Sequence, residues 1–274
     1  MPISSYPAAF RKLVEADAEA AAVVCDGVVA TRSEIETASN RRAHQWESLG
    51  VEAGDLVAIA LPNGIEFVEC AMAAWKLGAV PAPLSARLPE KEQREIVDLA
   101  DPGLVVGVPA ERYPERRVVS GDAAPDTFPD EPLPDRISPH CQAIASGGST
   151  GRPKLIVDAN PASFDPASPH YGLEEGGAVL IPGPLFHTGP FLNARESLLR
   201  GGLVVVMGRF DPEESLRLIE RHAVQWVNMV PTMLHRIWRL PEEVRDRYDL
   251  SSLRRVVSSG AACADWLMRA WIDW

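Results

Sequence analysis

Cysteine is sparse in this chain of 274 residues: Cys25, Cys70, Cys141 and Cys263 stand far apart and share no metal-like spacing. That argues against a disulfide framework and against a zinc-binding ribbon or finger. The four read instead as reduced, mostly buried small hydrophobes. No continuous apolar run is long enough to span a bilayer. The start, Met1-Pro2-Ile3-Ser4-Ser5-Tyr6, has no basic segment leading into an apolar one, so no signal peptide is evident. An excess of positive charge is missing too. The formal net charge is -11, which speaks against a nucleic-acid footprint and is sufficiently explained by solubility. Neither an internal repeat nor a low-complexity tract is visible.

What is present fits a cytoplasmic enzyme. The composition is 46% hydrophobic and 24% charged, a usual globular mix with ample material for a buried core. The length suggests one large domain or two smaller ones.

The most informative stretch is Ser146-Gly147-Gly148-Ser149-Thr150-Gly151-Arg152-Pro153-Lys154, between the apolar segments Ala143-Ile144-Ala145 and Leu155-Ile156-Val157. Glycines let backbone amides face an anion without a Cβ in the way, and hydroxyls and a lysine add donors and charge. This is the chemistry of a loop that holds nucleotide phosphates. A Walker A loop is excluded, because Lys154 follows Arg152-Pro153 and precedes leucine. Gly147-Gly148-Ser149-Thr150-Gly151 also satisfies the pattern of a nucleophile elbow, with Ser149 as the nucleophile of a serine hydrolase. An elbow must run from strand into helix, whereas the apolar, β-branched exit here favours a strand. His222 and His235, the histidines available for a triad, fall in helix-like stretches. A simple hairpin turn would explain the glycines but not the Pro-Lys pair or the hydroxyls.

Along the chain, strand and helix patterns alternate. Ser33-Glu34-Ile35-Glu36 reads as a capping box opening a helix to about Leu49. A strand over Leu56–Ala60, a helix over Ile65–Leu77, a strand over Ala79–Ala82, a helix over Glu90–Leu99 and a strand over 104–106 follow. Residues 121–139 are proline-rich and acidic and read as an exposed connector. After the loop come a strand at 179–181, a helix from about Phe191 to Leu199, and a strand at 203–207. A helix capped by Asp211-Pro212, a strand at 226–228, a helix at 231–238, a strand at 254–257 and a helix from Ala264 complete the series. Such alternation is the grammar of a doubly wound α/β sheet. The domains expected are a first β-α subdomain at 1–120, the connector at 121–140, and a second subdomain at 141–274 that contains the loop. Trp226, Trp238, Trp266 and Trp271 read as core.

The loop resembles the phosphate-binding signature of the adenylate-forming superfamily of acyl-CoA synthetases, luciferases and peptide adenylation domains, written T-S-G-[ST]-T-G-x-P-K-G. Ser149-Thr150-Gly151-Arg152-Pro153-Lys154 matches position by position; Gly147 replaces a usual serine and Leu155 a glycine. The likeness extends through Leu61-Pro62-Asn63-Gly64, Gly78-Ala79-Val80-Pro81, Pro184-Leu185-Phe186-His187, Phe210-Asp211-Pro212-Glu213, Val230-Pro231-Thr232-Met233, Asp249-Leu250-Ser251-Ser252-Leu253-Arg254 and Ser259-Gly260-Ala261-Ala262, all in order.

The resemblance implies the large N-terminal domain of an adenylate-forming enzyme, with two doubly wound β-α subdomains and the C-terminal domain absent. It implies an ATP-dependent carboxylic acid:CoA ligase using ATP, Mg²⁺ and coenzyme A on a small-molecule acid. Ser146, Gly147, Gly148, Ser149, Thr150, Gly151 and Lys154 would hold ATP phosphates, with Thr150 meeting Mg²⁺ through them. His187 would stand where the acyl pocket meets the thiol tunnel, as a substrate residue, and His187 and Lys154 would each have a catalytic role. Gly260 and Ala261 would lie beside adenine and acyl group, with Asn228 also on the substrate side. Among family members the loop is most similar to ligases for bile acids or other steroid-like acids, and Gly260, Ala261 and Ala262 would leave room for a bulky group. The family's downstream Tyr-Gly-x-Thr-Glu motif is missing, so the chain is expected to be an N-terminal fragment without turnover. A non-catalytic nucleotide-binding remnant of the same fold is the alternative.

Overall fold

The structure is a computed structural model that describes residues 3–122, 124, 126–147 and 153–274. In chain order its elements begin β1 (Ser4–Ser5), α1 (Tyr6–Ala16), β2 (Ala21–Cys25), β3 (Val28–Thr31) and α2 (Arg32–Ser48). There follow β4 (Leu56–Ile59), α3 (Ile65–Lys76), β5 (Val80–Pro83), α4 (Glu90–Ala100), β6 (Leu104–Val106) and β7 (Val118–Val119). Next are β8 (Ala143–Gly147), β9 (Pro153–Val157), β10 (Ser163–Phe164), β11 (Val179–Ile181), α5 (Thr188–Leu199) and β12 (Val204–Val206). The chain closes with α6 (Pro212–Arg221), β13 (Trp226–Met229), α7 (Pro231–Trp238), α8 (Glu242–Arg245), β14 (Arg255–Ser258) and α9 (Asp265–Asp273). The expected α/β alternation is therefore present.

Two units form. The first comprises residues 1–21 and 30–168, and the second 22–29 and 169–274. Residues 141–168 cluster with the first unit, so the boundary expected after the connector is not a boundary between these two.

The first unit carries a four-stranded parallel sheet in the order β5-β4-β6-β7. Parallel strands are covered on both faces and so read as apolar runs; Val57, Ile59, Val80, Leu104, Val105 and Val106 are all fully buried. Helices α2 and α3 pack together and bury charge between them. Arg42 donates to Glu69 Oε2 from Nε at 3.1 Å and Nη2 at 2.8 Å, and Lys76 Nζ lies 2.8 Å from Glu36 Oε2.

That use of Glu36 corrects the expected capping box. Helix α2 is capped two residues earlier: Thr31 Oγ1 accepts from Glu34 N at 3.2 Å, and Thr31 N donates to Glu34 Oε2 at 2.7 Å. The two S/T-x-x-E patterns overlap, and the one that leaves Glu36 free to meet buried Lys76 is taken. The caps of α1 and α6 are simpler. Ser5 Oγ accepts from Ala8 N, and Asp211 Oδ1 from Glu214 N, with Pro212 at the first helical position, as expected.

The second unit has a six-stranded sheet, ordered β14-β13-β11-β12-β2-β3. Its first five strands run parallel. Strands β2 and β3 are joined by Asp26-Gly27, both at positive φ, the geometry a two-residue hairpin requires. One sheet face, with Leu180, Val205, Val227 and Met229, packs against Leu216 and Ile219 of α6, Leu234 and Ile237 of α7, and Leu267 of α9. Trp226 is buried, but Trp266 is 53% exposed, so it is not the core residue expected. Three cysteines are buried and Cys263 is half-buried.

Candidate functional site

The glycine-rich loop joins two antiparallel strands. In the β8–β9 register Ser146 is opposite Lys154 and Gly147 opposite Pro153. Directly opposed residues share a face of the ladder, so Ser146 and Lys154 stand side by side at the mouth of the loop. Lys154 is exposed, and among the described residues no carboxylate pairs with it. Leu155, the departure from the usual glycine, has a structural use: it faces the other way and packs on Val80, Ala82 and Ala143, tying the hairpin to β5. Strand follows loop, as the apolar exit implies, so the strand-to-helix path of a nucleophile elbow is not formed here. The hairpin-turn reading and the phosphate reading share this geometry. Gly148, Ser149, Thr150 and Gly151 lie outside the described residues.

A second group forms in the other sheet. From the carboxyl end of β11 the chain passes through α5 to β12 on one side, and from that of β13 through α7 and α8 to β14 on the other. The connections diverge at the carboxyl ends of β11 and β13, the place where open α/β sheets form a crevice for ligands. His187 follows β11 and is the N-cap of α5; no side chain caps that helix. The first amides of a helix have no acceptor within it and favour negative charge. Asn228 is in β13. Its neighbours Val227 and Met229 face the core, so alternation turns Asn228 to the opposite sheet face. A methyl placed on Gly189, in the first turn of α5, would lie 3.8 Å from Asn228 Oδ1.

Beyond β14, Ser259 Oγ donates to Asn228 Oδ1 at 2.9 Å, and Asn228 Nδ2 donates to Val257 O at 3.3 Å. Gly260 has φ +80, and a Cβ there would lie 3.2 Å from Val230 Cγ1. Ala261 is exposed in the bend beyond Gly260. The structure thus brings His187, Asn228 and Gly260 to one sheet end and adds the α5 terminus and Ser259, which the sequence places in a motif without giving it a role of its own. A hydroxyl beside glycine at a strand end was the available signal. The His187 ring is tilted against Phe186 with centroids 4.5 Å apart, and desolvation holds its pKa below the usual 6.5. His222 caps the end of α6, and His235 meets Trp266 edge-on.

The first unit has its own crevice of ≈ 690 Å³ at the carboxyl ends of β4 and β6, lined in part by Glu66, Glu111 and Asp122. Three carboxylates make it a poor phosphate site. Among the described residues no group of three His, Cys, Asp or Glu side chains could hold a metal.

Residues 10–274 match the family described as AMP-binding enzyme. The chain belongs to that family. Feruloyl-CoA synthase of an Amycolatopsis species is 31% identical over 289 residues, covering 93% of this chain and 54% of that protein. The chain thus spans about half the length of the curated relatives it matches. Among solved structures, the N-terminal domain of FACL13 from Mycobacterium tuberculosis, with an inhibitor bound, superposes with a TM-score of 0.83 at 20% identity. It covers 98% of this chain, which covers 73% of it. o-Succinylbenzoate CoA synthetase from Bacillus subtilis, in complex with an acyl-adenylate intermediate, gives 0.80 at 21% identity. That likeness covers 100% of this chain and 57% of the other. The α/β fold is that of the N-terminal domain of adenylate-forming enzymes.

Proposed function

We propose that this chain supplies the phosphate-holding hairpin and the acyl-binding sheet end of an ATP-dependent carboxylic acid:CoA ligase. The observation that carries the reading is the convergence of His187, Asn228 and Gly260 at the switch point of one parallel sheet. The reaction has two halves. A carboxylate oxygen attacks the α-phosphorus of ATP, breaking the bond to the β-phosphate oxygen and giving acyl-adenylate and pyrophosphate. A coenzyme A thiolate then attacks the acyl carbon, and AMP leaves.

Negative charge grows on phosphate oxygens in the first half, and groups already in place stabilise it best. Lys154 and Ser146, side by side and unpaired with any described carboxylate, suit that task, together with the loop residues Gly147, Gly148, Ser149, Thr150 and Gly151. Mg²⁺, when bound through the phosphates near Thr150, would supply further charge neutralisation. The uncapped start of α5 would orient the carboxylate or its adenylate. His187, with its lowered pKa, is neutral at pH 7 and adds no charge to the path of a thiolate. Gly260 and Ala261 leave space beside the adenine and acyl group.

For the acid itself, the run of small residues Gly260, Ala261 and Ala262 favours a bulky group. A steroid-like acid is one candidate. Curated relatives bearing the names feruloyl-CoA synthase and 4-coumarate--CoA ligase support aromatic acids as another. Turnover is proposed for the whole protein; the 274-residue chain alone is expected to bind ATP weakly and not to turn over. The test is acid-dependent ATP–pyrophosphate exchange by the whole protein across steroid-like, aromatic and aliphatic acids. Exchange with none of them would refute the ligase reading, and acyl-hydroxamate formation by the isolated chain would refute its inactivity.

A further inference from the structure

Resting on that reading, we infer that Asn228 recognises a second oxygen on the acid, away from its carboxylate, and that Ser259 is the positioning residue that aims it. A primary amide has one acceptor oxygen and two N–H donors. At Asn228 the oxygen is taken by the Ser259 hydroxyl at 2.9 Å, and one N–H by Val257 O at 3.3 Å. Val257 is the cross-strand partner of Asn228, so one bond ties the amide to the sheet and the other ties it to the turn beyond β14. With both ends held, the amide plane has a single orientation, and one N–H is left without an acceptor among the described residues. The side chain is half-buried on the face opposite the core, close to the first turn of α5.

A purely aliphatic acyl group would leave that donor unmatched while displacing its water, which is unfavourable. An acid bearing a hydroxyl, ether or carbonyl oxygen would satisfy it. The flanking groups agree. Gly189 and Gly260 present no side chain that would fill the space, and His187 is kept neutral, so it does not compete as a cation for a ligand anion. Serine at 259 is what makes the preference directional. Without its hydroxyl, Asn228 Oδ1 loses its donor, and the amide is free to turn over and offer an acceptor instead.

The experiment compares 3-phenylpropanoate with 3-(4-hydroxyphenyl)propanoate, and hexanoate with 6-hydroxyhexanoate, by titration calorimetry and, in the whole protein, by pyrophosphate exchange. The expected result is that the oxygenated member of at least one pair binds about tenfold more tightly. Ser259→Ala weakens the oxygenated acid about fivefold more than the plain one, and Ser259→Thr restores the difference. The Asn228 side-chain amide cross-peak, identified with Asn228→Leu, shifts on adding the oxygenated acid in wild type and Ser259→Thr but not in Ser259→Ala. Equal weakening of both acids by Ser259→Ala would show a merely structural serine and overturn the inference. Binding of both acids without preference overturns it as well and leaves the ligase reading standing. Binding of neither overturns the inference, and the lack of exchange with steroid-like, aromatic and aliphatic acids alike overturns the ligase reading itself.

Discussion

Lys76 Nζ and Glu36 Oε2 lie 2.8 Å apart between α3 and α2, each side chain at most 10% exposed. Asn40 Oδ1 accepts from the same ammonium at 2.6 Å and the Glu36 carbonyl at 3.1 Å. Removing one member of such a pair strands the other. Lys76→Met is expected to cost about 3–5 kcal/mol in urea unfolding, and the double variant Glu36→Leu, Lys76→Met to recover most of it. A double variant as unstable as the single one would contradict this account.

The same lysine gives the chain an alkaline signature. Burial lowers its pKa from 10.5 to about 8, the loss of hydration outweighing the attraction of Glu36. Below about pH 8 it is charged whether folded or unfolded. Above that, up to 10.5, the unfolded chain holds a proton that the folded chain has released, so stability rises with pH. Cys70 acts in the opposite sense. Burial lifts its thiol from 9.0 to about 12, so above pH 9 the folded chain keeps a proton that the unfolded one loses, and stability falls. Midpoint denaturant concentrations are expected to rise from pH 8 to 9 and to decline above 10.5. Lys76→Met removes the rise and Cys70→Ala the decline.

Thr31, not Ser33, caps α2. Thr31→Ala should cost about 1 kcal/mol, and Ser33→Ala less than half of that. The reverse order in thermal unfolding would restore the cap at Ser33.

Lys154 is exposed and leaves the hairpin core untouched. Lys154→Ala in the whole protein is expected to raise the adenylation barrier by roughly 2–4 kcal/mol, if its share matches one preorganised donor, with thermal stability little changed. Unaltered pyrophosphate exchange would remove Lys154 from the site.

His187 should titrate below its ordinary 6.5 because desolvation disfavours the imidazolium. Its ring-proton NMR midpoint, assigned with His187→Gln, reports this directly. A midpoint above 6.5 would point to a neighbouring carboxylate that the structure does not place there.

Periodicity made most of the fold readable. Strand β11 and helix α7 have the bounds the pattern predicts, and β9 follows from three apolar residues after Lys154. Harder cases had competing local signals. The start of α5 lies at Thr188 because Gly189 and Pro190, which look like breakers, are tolerated in a first turn. Strands β2 and β3 escaped the pattern reading although Asp26-Gly27 between apolar runs was a hairpin signal in plain view. In the candidate site, His187, Asn228 and Gly260 were legible through motif order. The Ser259–Asn228 bond was not, because 31 residues separate its ends and only the parallel register of β13 and β14 closes that distance.

The place of β2 in the second sheet sets a timetable for folding. Val23 pairs with Val204, so β2 leaves the ribosome about 180 residues before its β12 neighbour exists. At usual elongation speeds that is on the order of ten seconds or more, during which one edge of an apolar strand, held only by its hairpin with β3, waits open. A shortened chain beginning after residue 29 would lack a strand of the sheet that carries the candidate acyl site.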